Sequence, residues 1–302
     1  MRASLKTIFA CAVIGFLLLA SAEPGFGQAR NVTPSLRDVA YDDDHPSQCV
    51  DVYLAESDKP TPAMIYIHGG GWRAGSKNNI PGWLKTFVAD GQLSVVSVEY
   101  RFTNVATHPA QVNDCLRAIQ FVRQNARKWN INPNRLGVTG GSAGGHLSAY
   151  VALHDDAADS KSDDPVQHNS SRVACAVSFA GPTDWTLLNS IEHRHPAYRQ
   201  LIGYEPGTPA ADLASKLVKD VSPISFASKD DPPIMQVHGD KDDIVPIQHA
   251  ANLHQKLKTL GVESELVVIP GGNHGVAGAG RDTSQRATTF VRQHLLSTQP
   301  VK

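Results

Sequence analysis

Arg135-Leu136-Gly137-Val138-Thr139-Gly140-Gly141-Ser142-Ala143-Gly144-Gly145-His146 is the stretch that decides the fold. A short run ending in β-branched residues meets two glycines and a serine, and Ala143 opens a helical pattern that continues to Leu153. Within it, Gly140-Gly141-Ser142-Ala143-Gly144 has the spacing G-x-S-x-G. Between a strand and a helix, that spacing makes a sharp turn that holds the serine in a strained conformation, its hydroxyl above the end of a sheet. A plain strand-to-helix turn in a glycine-rich chain can share the pattern, so its meaning rests on what the other strand ends supply.

On both sides of this turn, short apolar runs alternate with helical patterns. Residues 49–54, 63–67, 94–100, 135–139, 173–179, 234–237 and 265–269 read as strands, and 110–129, 143–153, 247–260 and 283–296 as helices. The alternation predicts an α/β fold, a mostly parallel sheet of about eight strands with helices on both faces. Chemistry in such sheets gathers at the carboxyl ends of the strands. The chain has 302 residues, and α/β units of about 250 residues commonly form one domain. The expected division is a leader over 1–22, a lead-in over 23–47 and a catalytic domain over 48–298. Two polar excursions interrupt it, at 154–171 and 184–231. The second holds Trp185, Tyr198, Tyr204 and several prolines, and reads as a small cap-like insertion. Trp72 and Trp185 are the aromatic candidates for contact with a substrate.

With 41% hydrophobic and 19% charged residues, the chain is neither a disordered segment nor a coiled coil. Lys and Arg number 28 against 29 Asp and Glu, a balance that gives no electrostatic basis for nucleic acid or a stable membrane partner. Arg2 and Lys6 precede an apolar run that ends at Ala20-Ser21-Ala22. This is the pattern of a secretory signal peptide, so the expected location is secreted or periplasmic. Cys11 leaves with the leader, and Cys49, Cys115 and Cys175 remain where at most one bridge can form. Free buried thiols and a single bridge both fit, and the pair is not readable.

His68-Gly69-Gly70-Gly71-Trp72 directly follows the strand run at 63–67. A glycine run delivers unobstructed backbone N–H groups to the place where a tetrahedral intermediate carries its negative oxygen, and Ala143, next after the serine, supplies another donor. Neither G-x-G-x-x-G nor a Walker lysine is present, which argues against a phosphate cradle. A serine hydroxyl needs a base within hydrogen-bond reach and a group to orient that base. Downstream come His238-Gly239-Asp240-Lys241-Asp242-Asp243 and Gly271-Gly272-Asn273-His274-Gly275, each after a strand run. In the chain order Ser, acid, His, His274 is the base and Asp240, Asp242 and Asp243 are the candidate acids. Of the other histidines, His146 reads as packing under the turn, and His68 and His238 as shaping strand ends. Glu192-His193-Arg194-His195 reads as a polar loop and not a metal clamp, and no cofactor is expected.

Taken together, HGGGWRAGS, VEYRF, HPAQVNDCLRAIQFVRQNA, GGSAGGH, FAGPTD, HGDKDDIVP and GGNHG, between about Asp51 and His294, resemble the α/β-hydrolase superfamily. Within it the likeness is to secreted esterases related to hormone-sensitive lipase and to feruloyl and acetylxylan esterases. The resemblance implies Asp242 as the acid of a Ser142, Asp242 and His274 triad. It implies Gly70 and Gly71 as oxyanion amides completed by Ala143, and architectural roles for Tyr100, Arg101, Asp114 and Asp184. The stretch before the sheet is shorter than the N-terminal cap of typical hormone-sensitive-lipase relatives, which implies an open site and short acyl groups. The expected function is a serine carboxylesterase acting on short-chain or aromatic esters, including acetyl or feruloyl esters of plant polysaccharide, through an acyl-enzyme. Its rate should fall in acid, where the base is protonated. The competing readings are an amidase or peptidase of the same fold, revealed by preference for amides, and a non-catalytic binding protein, which a fluorophosphonate would fail to label.

Overall fold

The computed structural model describes residues 31–189, 195–278 and 280–297; the leader lies outside them. Eight strands form one sheet: β1 (Leu36–Ala40), β2 (Cys49–Tyr53), β3 (Thr61–Ile67), β4 (Ser94–Val98), β5 (Ile131–Gly141), β6 (Cys175–Phe179), β7 (Ile234–Gly239) and β8 (Ser264–Ile269). Their order across the sheet is β1-β2-β4-β3-β5-β6-β7-β8. The first two pairings, β1 with β2 and β2 with β4, are antiparallel, and every other is parallel. From β3 the chain steps to β4 on one side and then returns to β5 on the other. Adjacent crossovers thus leave in opposite directions at β3 and β5, which opens a crevice at their carboxyl ends. His68 follows β3 and Ser142 follows β5, so the topology alone places the glycine loop beside the serine.

Alternate residues of each strand point to opposite faces. Ile65, Ile67, Val96 and Val98 enter one core with Ile119, Leu147 and Leu253. Met64, Val95, Val177 and Met235 enter the other with Trp83, Phe87, Phe290 and Val291. The helices covering these faces are α1 (Gly82–Ala89), α2 (Ala110–Asn125), α3 (Ala143–Leu153), α6 (Gln248–Leu260) and α7 (Arg281–Val291); two short ones, α4 (Ala197–Leu201) and α5 (Ser215–Asp220), belong to the excursion between β6 and β7. Among the described residues no helix is long and apolar enough to cross a membrane.

Two elements depart from the expected pattern. The supposed lead-in contributes β1, an edge strand of sequence LRDVA with mostly exposed side chains. Its charged, non-alternating composition carries no strand signal, and it is held by backbone pairing to β2 in a form that discourages further edge pairing. Helix α1 also lies outside the helical patterns of the sequence. Its apolar residues Trp83, Leu84, Phe87 and Val88 make a single buried face, too short a pattern to stand out. Cys49, Cys115 and Cys175 are buried free thiols. Asp114 accepts hydrogen bonds from Gln48 Nε2 and from the Arg101 backbone and guanidinium, pinning α2 to the chain beyond β4.

Candidate active site

Ser142 occupies the turn between β5 and α3 with φ 55° and ψ −120°, a left-handed conformation that costs a non-glycine residue about 1–3 kcal/mol. The surroundings impose it. The Ser142 N–H donates to Phe179 O at 2.8 Å and its carbonyl receives His146 N at 2.9 Å. A side chain on Gly144 has no room, because its Cβ would lie 2.0 Å from Ile67 O.

His274 opens the turn after β8, His274–Gly278. Its Nε2 lies 2.9 Å from Ser142 Oγ, and its Nδ1 lies 2.8 Å from Asp242 Oδ2. Asp242 follows β7, and its side chain is fully buried while that of His274 is 19% exposed. The second carboxylate oxygen accepts the N–H groups of Ile244 and Val245 at 3.0 and 2.9 Å. Burial works against the Asp242 charge, yet hydrogen bonds from His238, His274 and Val245 N–H outweigh it and hold the carboxyl well below the usual carboxylate range. Asp240 and Asp243 are exposed, and Asp240 accepts Gly271 N at 2.7 Å. Of the three candidate acids, the structure brings Asp242 to the imidazole.

Across the serine stands the loop after β3. Gly70 has φ 119°, a conformation that requires glycine, and its carbonyl receives Arg73 N and Ala74 N at 3.2 and 3.1 Å. Neither Gly70 N–H nor Gly71 N–H donates to another backbone group among the described residues. Ala143 heads α3, where the first N–H groups lack intrahelical partners. The loop is braced from behind. His68 Nε2 meets Glu99 Oε1 at 2.9 Å, its Nδ1 faces Gly69 O at 2.8 Å, and its ring stacks on Tyr100 at 4.6 Å. Tyr100 Oη donates to His68 O, and the other Glu99 oxygen accepts Lys77 N.

Ser142, His274, Gly70 and Gly71 line a cleft of about 540 Å³ whose walls also include Trp72, Arg73, His195, Tyr198 and Ile244. Trp72 is 3% exposed, and its indole N–H donates to His146 Nδ1 at 3.1 Å. Trp185 does not meet the expectation of substrate contact. It is fully buried and packs at 5.7 Å from the Trp72 ring, with its indole N–H on Tyr198 O. The apolar ring is worth more as the floor of the insertion than at a wet surface. Among the described residues, the excursion instead turns His195, Ala197 and Tyr198 toward the cleft. The sequence alone presents His195 as one more polar loop residue; Glu192, His193 and Arg194 lie outside the described residues. Burial, with nearby Arg73 and His274, lowers the His195 pKa from its ordinary value. Tyr66 and Arg73, which flank the HGGG run in sequence, also line the cleft, and their positions beside that run were the available signal.

The chain is 32% identical over 237 residues to the probable carboxylic ester hydrolase LipM of Mycobacterium tuberculosis, covering 78% of this chain and 54% of the relative. It spans little more than half the length of the first curated relatives it matches. Among solved structures, a truncated carbohydrate esterase from gut microbiota superposes with a TM-score of 0.74 at 29% identity, covering 88% of this chain and 99% of that one. The acetyl ester-xyloside bifunctional hydrolase of Caldicellulosiruptor lactoaceticus superposes with a TM-score of 0.70 at 30% identity, covering 81% and 87%. The sheet order, the serine turn and these likenesses agree on the α/β-hydrolase fold. The BD-FAE family model matches residues 50–257, a span that holds the glycine loop, Ser142 and Asp242, and the chain belongs to that family.

Proposed function

We propose that this protein is a serine carboxylic ester hydrolase acting on short-chain or aromatic esters, with acetyl or feruloyl esters of plant polysaccharide as its natural substrates. The observation that carries the reading is the continuous chain from Ser142 Oγ through His274 to Asp242, facing glycine N–H groups without backbone partners. The carbohydrate esterase and ester hydrolase names among its relatives support it, and the export pattern of residues 1–22 fits an extracellular polymer.

The chemistry follows from the atoms. The Nδ1–H of His274 donates a hydrogen bond to the Asp242 carboxylate, which leaves Nε2 unprotonated and aimed at the serine. Ser142 Oγ bonds to the ester carbonyl carbon as its proton moves to Nε2, and the carbonyl π electrons move onto oxygen. That oxyanion is met by the N–H groups of Gly70, Gly71 and Ala143, where each donor is worth about 10²–10³ in rate. The carbon–oxygen bond to the alcohol then breaks, with the Nε2 proton going to the leaving oxygen. Water, deprotonated by the same imidazole, attacks the acyl-serine and releases the acid. The buried Asp242 carboxylate stabilises the imidazolium formed twice in the cycle.

Hydrolysis of 4-nitrophenyl esters from acetate to laurate, beside Ser142→Ala, tests the reading. Activity concentrated on short acyl chains and abolished in the variant is expected, with Ser142 labelled by a fluorophosphonate. Faster turnover of the matching anilides would favour an amidase, and absence of both turnover and labelling would favour a binding protein.

A further inference from the structure

On the excursion side of the cleft, a guanidinium and an imidazole converge on the glycine loop. A β-carbon placed on Gly71 would lie 3.7 Å from His195 Cε1 and 3.9 Å from Arg73 Nε. Arg73 is exposed, and its Nη1 donates to Gln200 Oε1 of α4 at 3.1 Å. That bond ties the glycine loop to α4 and leaves the Nε and Nη2 edge of the guanidinium without a partner among the described residues. None of the residues lining the cleft is acidic, so the cation has no counter-charge there. The chain fills the same edge elsewhere, where Arg101 Nε and Nη2 hold the two Asp114 carboxylate oxygens at 3.0 and 2.7 Å. His195 adds another donor. Its Nδ1 accepts the Ala197 N–H at 3.4 Å, which makes Nε2 the N–H of the neutral ring. Burial and the charges of Arg73 and His274 hold the ring below the ordinary imidazole value, so it stays neutral and keeps that tautomer. Among the described residues the Nε2–H has no acceptor.

The wall that carries these donors faces a definite half of the ester. Tyr198 Oη donates to Ile244 O at 3.3 Å, and Ile244 N–H in turn donates to Asp242 Oδ1. Helix α4 therefore stands on the His274 side of the serine. In the tetrahedral intermediate the leaving oxygen must reach His274 Nε2 to take its proton, so the alcohol is the half that extends toward this wall. We propose that Arg73 and His195 form a carboxylate subsite for the alcohol half, and that the preferred substrate is a short-chain ester of an acidic alcohol, such as an acetylated uronic-acid residue of a polysaccharide. This rests on the ester hydrolase reading above. The free edge of Arg73 takes the carboxylate through two parallel N–H groups, with the His195 N–H as a third donor. A guanidinium that served the oxyanion instead would aid every ester alike, which separates the two roles by experiment.

The acetyl esters 4-acetoxybenzoate and 4-acetoxybenzamide share an acyl group and differ in the charge of the alcohol half. Arg73→Gln is expected to lower the ratio of kcat/KM for the benzoate over the benzamide by about tenfold, mostly through KM. Arg73→Lys keeps the charge but loses the fork, and should retain part of the preference. The acyl control is 4-nitrophenyl hemisuccinate against 4-nitrophenyl butyrate, a ratio expected to change by less than about twofold. An unchanged benzoate ratio, an equal loss on all esters, or a loss that follows the hemisuccinate would overturn the assignment. A crystal structure of Ser142→Ala with 4-acetoxybenzoate reads the subsite without turnover and without an Arg73 variant. The carboxylate is expected on Arg73 Nε and Nη2; a carboxylate seated elsewhere, or no binding, would overturn the assignment. If the wild type cleaves no ester, the hydrolase reading fails separately, and the position of the bound carboxylate still decides the subsite.

Discussion

A β-carbon on Gly144 would lie 2.0 Å from the carbonyl oxygen of Ile67 and 2.8 Å from that of His68. The first turn of α3 is thus seated directly on the strand that launches the glycine loop, so nucleophile and oxyanion donors are positioned by one backbone contact. Gly144→Ala is expected to push α3 away from β3, costing about 1–3 kcal/mol of stability by overpacking and at least about tenfold in kcat. Urea midpoints and kcat on 4-nitrophenyl acetate check both; a variant with wild-type kcat would show that the contact is not what sets the geometry.

The three aspartates after β7 should separate cleanly. Asp242→Asn replaces the buried carboxylate with an amide whose N–H₂ can face Nδ1 and favour the wrong imidazole tautomer, and is expected to lower kcat by about 10⁴. Asp240→Asn and Asp243→Asn alter exposed side chains and should leave kcat within about threefold, given that surface changes usually amount to less than 0.5 kcal/mol. Steady-state kinetics of the three variants decide it, and a comparable loss in Asp240→Asn would reassign the acid.

Glu99 never faces the cleft, yet it holds His68 and the backbone of Lys77. Glu99→Gln weakens the brace behind the oxyanion loop. The expected signature is a fall in kcat of about 10- to 100-fold with KM little changed, partly restored in Glu99→Asp. A variant altered in thermal stability alone, with normal kcat, would reduce Glu99 to a structural role.

Acid should unfold the protein in two windows. His146 is fully buried and its pKa is lowered to about 3 by burial. The geometry agrees with a neutral ring, since Nδ1 accepts from the Trp72 indole and Nε2 faces Val221 O. Unfolding raises that value to about 6.5, so the unfolded chain binds the extra proton. Stability is therefore complete above about pH 6.5 and declines as pH falls toward 3, by up to about 1.4 kcal/mol per pH unit. Asp242, held low in the folded state, adds stability that is present above about pH 3.9 and lost below it. Unfolding free energies across pH should be flatter in the upper window for His146→Gln and in the lower one for Asp242→Asn. An unchanged slope in either variant would remove that group from the account.

Local sequence determined the serine turn, because a strand-to-helix change of period around three glycines has few steric solutions, and it determined α3, read and observed as Ala143–Leu153. It also determined most of the sheet, since β-branched runs such as Ser94–Val98 have little other use than a strand buried on both faces. Residues alone left Asp240, Asp242 and Asp243 equivalent, and the resemblance singled out Asp242. Tertiary structure made the distinction physical, because burial and the distance to His274 depend on the packing of β7 against β8. The same holds for the cleft. Trp185 and His195 sit ten residues apart in one polar insertion, and sequence favours the tryptophan as a ligand contact. Packing against Trp72 and Tyr198 buries that ring and leaves His195 at the surface of the cleft. The edge strand Leu36–Ala40 was equally hidden, since backbone pairing with β2 forms it and its side chains carry no periodic signal.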